Sequence, residues 1–220
     1  MNPSSSRLLK GTVLLLATVG VVSSLMRYLL PHDLHMAVAT PLYGSFAPEH
    51  LPVMAAHPGV EALHRLGGAV YMILGVLQFM PRLRARRPAL HRWSGRIFLA
   101  LSVAAGLSGA FMSLAFPYER SEGPPSVVFG GIMVLCAVQA YLHIRRRDVI
   151  GHREWVTRCF AVGLGIGTIR VFAVVLLTTT QLTAREIIAP CFWVGWSVTL
   201  LGAEVLIRAQ RAGKIVGAVA

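Results

Sequence analysis

The sequence predicts an all-α fold, an integral membrane bundle of six transmembrane helices with both termini cytoplasmic. Three observations predict it. Apolar residues make up 55% of the 220 and charged residues only 14%, with mean hydropathy +0.64, whereas a soluble domain carries about 25% charged residues. The apolar residues gather into six long runs, and lipid, which offers no partner to a free N–H or C=O, admits only helices or closed barrels; no barrel alternation is present. The basic residues, finally, crowd the flanks on one side of those runs.

The runs follow in order. The first covers residues 11–26 and extends to 30 past Arg27. Arg7 and Lys10 before it also fit a secretory leader, but no small-x-small cleavage site follows, so it reads as a retained span. The second covers 66–80, entered through Glu61, His64 and Arg65. The third and fourth, 97–118 and 123–144, are nearly free of charge. The fifth, 155–180, is interrupted by Arg170, and the sixth, 187–203, ends at Glu204. At 1.5 Å per residue each crosses a hydrocarbon layer of about 30 Å, the second by letting its polar flanks snorkel. Glycines at 67, 68 and 75, at 106 and 109, at 130 and 131, and at 163, 165 and 167 offer faces for close helix approach. The last three are no nucleotide loop, since no strand precedes them.

Charge placement sets the orientation. One set of flanks holds Arg7 and Lys10, six arginines from Arg82 to Arg96, five from Arg145 to Arg158, and Arg208, Arg211 and Lys214. The opposite set holds Arg27, Arg65, Arg120 and Arg185. The positive-inside rule puts the first set in the cytoplasm. The net charge of +12 is then a topology signal and excludes a nucleic-acid footprint; its partners are anionic lipid head groups. The chain reads as one membrane domain over 1–220, with an outer loop at 31–60 and a sixth helix and cytoplasmic tail at 187–220, in the cytoplasmic (inner) membrane of a bacterium. Cys136, Cys159 and Cys191 lie inside apolar runs without CxxC spacing and read as small hydrophobes.

Chemistry has few places to sit. Arg170 lies about 22 Å along the helix from Trp155, in the outer half of the bilayer. A charge at the bilayer centre costs at least about 2.5 kcal/mol, so Arg170 needs an interior position with a partner. Glu61 and His64 lie at similar depth on one helical face, and Arg65 makes an i, i+4 pair with Glu61. Glu61, His64, Arg170 and, further along the second span, Gln78 therefore form a candidate pocket for a small anionic or redox ligand, a quinone or a haem. The competing reading is a structural ion pair fixing the second span against the fifth. On the cytoplasmic side His91, His143 and His152 invite a b-type haem, but His91 stands outside the lipid, behind Arg92 and Arg96. In the outer loop His32, His35, His50 and His57, with Asp33 and Glu49, lack any family-grade metal spacing; the loop reads as a bent cap, and no metal site is expected. Trp93 and Trp155 read as interface anchors. No nucleophile elbow, Walker loop or HExxH is present.

The residues also carry a resemblance. His64, Gly75 to Phe79, Pro81 to Arg84 and His91-Arg92-Trp93-Ser94-Gly95-Arg96, then Arg146 to Val149, His152-Arg153-Glu154-Trp155-Val156-Thr157-Arg158 and Thr168 to Arg170 resemble a family of predicted bacterial membrane proteins, the domain of unknown function 2306. The likeness covers about residues 60–180. It implies a multi-pass membrane protein with no assigned activity, and singles out His64, Gln78, His91, Gly95, His152, Arg158 and Arg170. His143 and the loop histidines fall outside its pattern. Two functions stay open: a membrane protein that binds a small ligand, or a non-catalytic assembly or lipid-contacting subunit.

Overall fold

The computed structural model describes residues 3–31, 33, 34, 37, 56–117 and 120–219. Among these the long elements are helices: α1 (Pro3–Leu29), α2 (Pro58–Gln78), the short α3 (Pro81–Arg86), α4 (Pro88–Ala115), a 3-10 turn (Arg120–Glu122), α5 (Gly123–Arg145), α6 (Val149–Thr179) and α7 (Ala184–Val219). All but α3 and the turn are long and apolar enough to cross a membrane. His32, His35, Glu49 and His50, and with them most of the expected cap, lie outside the described residues. Of the loop histidines, His57 precedes α2 and stacks on Phe116, ring centroids 4.2 Å apart.

All the long helices but α5 begin earlier than the apolar runs, and the reason is chemical. An apolar run measures what lipid tolerates, whereas arginine is a good helix former and propagates the helix into the head groups. Proline sets several starts, because the first turn has no need of its N–H: Pro58 opens α2, Pro81 α3 and Pro88 α4. Thus α2 starts at Pro58 rather than 66, which brings Glu61, His64 and Arg65 inside the helix. α4 starts at Pro88 rather than 97, and α6 at Val149 rather than 155. The expected anchor motifs around His91 and His152 are therefore helical. α7 runs to Val219, well past 203, and α3 was not expected at all. Pro88 also divides α3 from α4, since it disfavours helical geometry at Arg87, which sits at φ −135°, ψ 62°. Between α5 and α6, Arg147 takes φ 61°, and Asp148 caps α6 by accepting from the Gly151 N–H at 2.9 Å.

α6, whose buried residues are apolar or small from Cys159 to Ile169, occupies the centre, with α1, α2, α5 and α7 against it and α4 closing the ring between α2 and α5. Its three alternate glycines explain how. Positions two apart lie about 200° round a helix and positions four apart about 40°, so Gly163 and Gly167 face one side and Gly165 the other. A Cβ on Gly163 would meet Tyr71 of α2 at 2.3 Å, and one on Gly167 the Leu16 carbonyl of α1 at 2.5 Å. One on Gly165 would meet Trp196 of α7 at 2.2 Å. The α2–α6 crossing is reciprocal: Gly163 admits Tyr71, and Gly75 admits Phe160, which a Cβ would approach to 2.2 Å. α4 and α5 touch backbone to backbone, each of Gly106 and Gly130 lying where a Cβ would come within 2.7 Å of the other's carbonyl. Tyr71, Phe98 and Phe160 fill the middle, Tyr71 stacked on Phe98 at 4.8 Å.

Candidate functional site

The packing leaves a hollow of about 250 Å³ in the half of the bundle away from the arginine-rich end. Residues of all six spans line it, so it is a central chamber and wider than a cleft between α2 and α6. Much of its wall is apolar: Met26, Met72, Met112, Met133, Phe116, Phe129, Phe192 and Trp196. Into it open His64, Arg65 and Arg170, with Glu122, Ser126 and the serines Ser23, Ser24 and Ser113.

Each polar group has a local cause. His64 lies one residue before Arg65 in the second turn of α2, and Gly109 of α4 leaves room for its ring, which a Cβ would approach to 2.9 Å. The Ser108 hydroxyl gives its proton to the Ala105 carbonyl at 3.3 Å, so its oxygen accepts from His64 Nδ1 at 3.0 Å. Glu61, 3% exposed, holds Arg65 at 3.2 Å, the expected i, i+4 pair, and does not itself line the chamber. Arg170 enters from α6 and lines the same hollow as His64 and Arg65. Seven residues beyond His64 on the same face of α2, Tyr71 is 2% exposed and donates to the Cys159 carbonyl at 2.8 Å. Glu122, 5% exposed, stands where the 3-10 turn enters α5. Sequence reasoning missed Tyr71 and Glu122. The i+7 spacing from His64 signals the first; nothing local signals the second, because its burial depends on how the turn folds over the bundle.

The structure does not bring Gln78 to this chamber. It lies about 21 Å along α2 from His64, donating to Ser94 Oγ at 2.8 Å and packed on Gly95, where a Cβ would meet its Oε1 at 3.0 Å. Ser94 in turn donates to the His91 carbonyl at 3.2 Å. Gln78, His91 and Gly95 thus form one joint between α2 and the start of α4. At the same end Arg96 stands 4.9 Å from the centroid of the exposed Trp93, while Arg92 and Arg153 are exposed. His91 Nδ1 is buried without a hydrogen-bond partner among the described residues. The His152 ring donates from Nδ1 to the Ala140 carbonyl at 2.8 Å, and His143 Nδ1 lies 2.7 Å from Asp148. Trp155 is partly buried between His143 and Arg158, whose guanidinium is 4.8 Å from its centroid. Arg158 holds Glu204 of α7 through two hydrogen bonds, 2.5 and 3.1 Å. Among the described residues no three His, Cys, Asp or Glu side chains gather as a metal site.

The exposed Asp148 carboxylate is held below its ordinary range by the Gly151 N–H and then by the His143 ring.

A family model described as a predicted membrane protein (DUF2306) matches residues 61–207. No curated protein and no solved structure matches the chain. The match runs from Glu61 in α2 to Ile207 in α7, past residue 180 where the resemblance read from the motifs ended, and it takes in most of the residues that line the central chamber. With the match spanning well over half of its length, the chain belongs to the DUF2306 family of predicted membrane proteins.

Proposed function

We propose that this protein binds a small lipid-phase molecule in the central chamber, one with an anionic or carbonyl-bearing head of quinone type. The membrane is the bacterial cytoplasmic membrane, with the arginine-rich end and both termini inside. The observation that carries the reading is the opening of His64, Arg65 and Arg170 onto one largely apolar chamber within the span. Cationic and imidazole donors in a low-dielectric setting suit acceptor oxygens, and methionine and aromatic walls suit a flat ring of variable outline. About 250 Å³ falls just below the roughly 300–1,000 Å³ of ordinary ligand pockets, enough for a head group whose tail lies elsewhere. A b-type haem fits less well, since His64 is the one imidazole in the lining among the described residues.

A second reading has its own support. The Glu61–Arg65 and Arg158–Glu204 pairs join turns and helices in the manner of packing devices, which favours a non-catalytic assembly subunit. The two readings separate in one experiment. Detergent-purified protein is extracted and its lipid-phase compounds identified by mass spectrometry, beside absorbance spectra in the oxidised and dithionite-reduced states. The binding reading expects a co-purifying quinone that Arg170→Met lowers at least tenfold. Unchanged retention with a lower Tm leaves the assembly reading alone, and a Soret band replaces quinone by haem.

A further inference from the structure

A second hollow, of about 330 Å³, lies towards the arginine-rich end. α5 and α7 both rest on α6 but meet each other only briefly, and the cleft between them is walled by Ile132, Leu135, Leu200 and Leu201. Leu135 and Leu201 are exposed along its rim. From Phe129 to Cys136 on α5, and from Ser197 to Glu204 on α7, the cleft runs about 10 Å in depth. It is a hydrocarbon slot open to the side of the bundle, and it is closed at the arginine-rich end by Trp155, Arg158 and Glu204.

The charges at that end do not cancel. Arg158 is bound by Glu204, and Arg211 by Glu154. Arg208, one turn beyond Glu204 on α7, also acts on that carboxylate. Asp148, which also acts on Glu154, is engaged by His143 and the Gly151 N–H, so among the described residues Arg208 is left without an ion pair of its own, an excess positive charge beside the apolar slot.

We propose that this cleft binds one anionic phospholipid, with an acyl chain between α5 and α7 and the head-group phosphate at the Arg158, Arg208 and Arg211 cluster. The slot takes hydrocarbon, the excess charge matches one phosphate, and the stacked Trp155 supplies the amphipathic ring that favours head-group depth. A zwitterionic lipid brings its own cation to the cluster and gains less from it.

The test uses the full chain in mixed micelles of equal phosphatidylglycerol and phosphatidylcholine with identical acyl chains, read by native mass spectrometry after detergent washing. The wild type retains one lipid per chain and prefers phosphatidylglycerol about fivefold, the worth of one basic side chain near the surface. Arg208→Gln brings the preference to parity, and Leu200→Trp, which fills the slot, removes retention of both lipids while leaving the content of the central chamber unchanged. Equal retention of the two lipids by the wild type, or full retention in Leu200→Trp, overturns the proposal. Should Leu200→Trp not fold, the exposed Arg208→Gln decides alone, and an undiminished preference in it overturns the proposal equally.

Discussion

Asp148 shows at the scale of one residue how the turns of this bundle are held. Its carboxylate serves two donors, the Gly151 N–H and the His143 ring, and both favour the ionised form. Its folded value therefore lies below that of the unfolded chain, so the stabilisation is complete above the unfolded value, about pH 4, and is lost as pH falls through the lowered one. Thermal scans should show Asp148→Ala melting below the wild type at pH 7, with the gap narrowing below about pH 4. A gap independent of pH would remove the carboxylate from the account. The sequence made the family-like motif visible here but not its role: Asp148 is a polar residue between helices until the fold shows what it caps. Tyr71 is similar, since a tyrosine in an apolar run gives no sign that its hydroxyl reaches the Cys159 carbonyl 88 positions away.

At the scale of the helix, the apolar runs gave the number and order of the spans, while their ends were misplaced because arginine extends a helix beyond the point where lipid stops. The glycines divide into those that carry a crossing and those that do not. Gly106 faces the Gly130 carbonyl, whereas a Cβ on Gly131 meets nothing within 4 Å. Backbone cannot yield as a side chain can, so Gly106→Ala should cost about 1–3 kcal/mol. Gly131→Ala should stabilise by about 0.5–1 kcal/mol, because it removes glycine's entropy cost in a helix interior. Reversible unfolding of the two variants in mixed micelles reads both, and equal effects would mean that the α4–α5 contact is not tight. Spacing alone could not make this division: adjacent glycines look alike in a sequence, and the neighbouring helix decides which one matters.

For the whole molecule, the asymmetry of basic residues yields a direct expectation. Reporter fusions after Arg86, Arg146 and Arg211 should all report the cytoplasmic face, and a split among them would dismantle the orientation. The chamber was legible only in part. His64 and Arg170 could be paired by depth, because depth follows from rise per residue, but the shares of α1, α4, α5 and α7 in the lining could not, since depth says nothing of which faces turn inward. Gln78 failed for the same reason, lying on the right helix at the wrong level.

The central place of α6 has a consequence for the order of assembly. This helix is synthesised before α7, yet α7 supplies Trp196 against Gly165, holds Gly195 against Ile169, and brings Ile188 and Phe192 to the wall beside Arg170. A nascent chain that has not reached Ala184 offers acyl tails a notched helix bearing a guanidinium, a charge that hydrocarbon solvates poorly. The later helix is thus the one that makes its predecessor tolerable in lipid, and the packing around α6 matures only when α7 arrives.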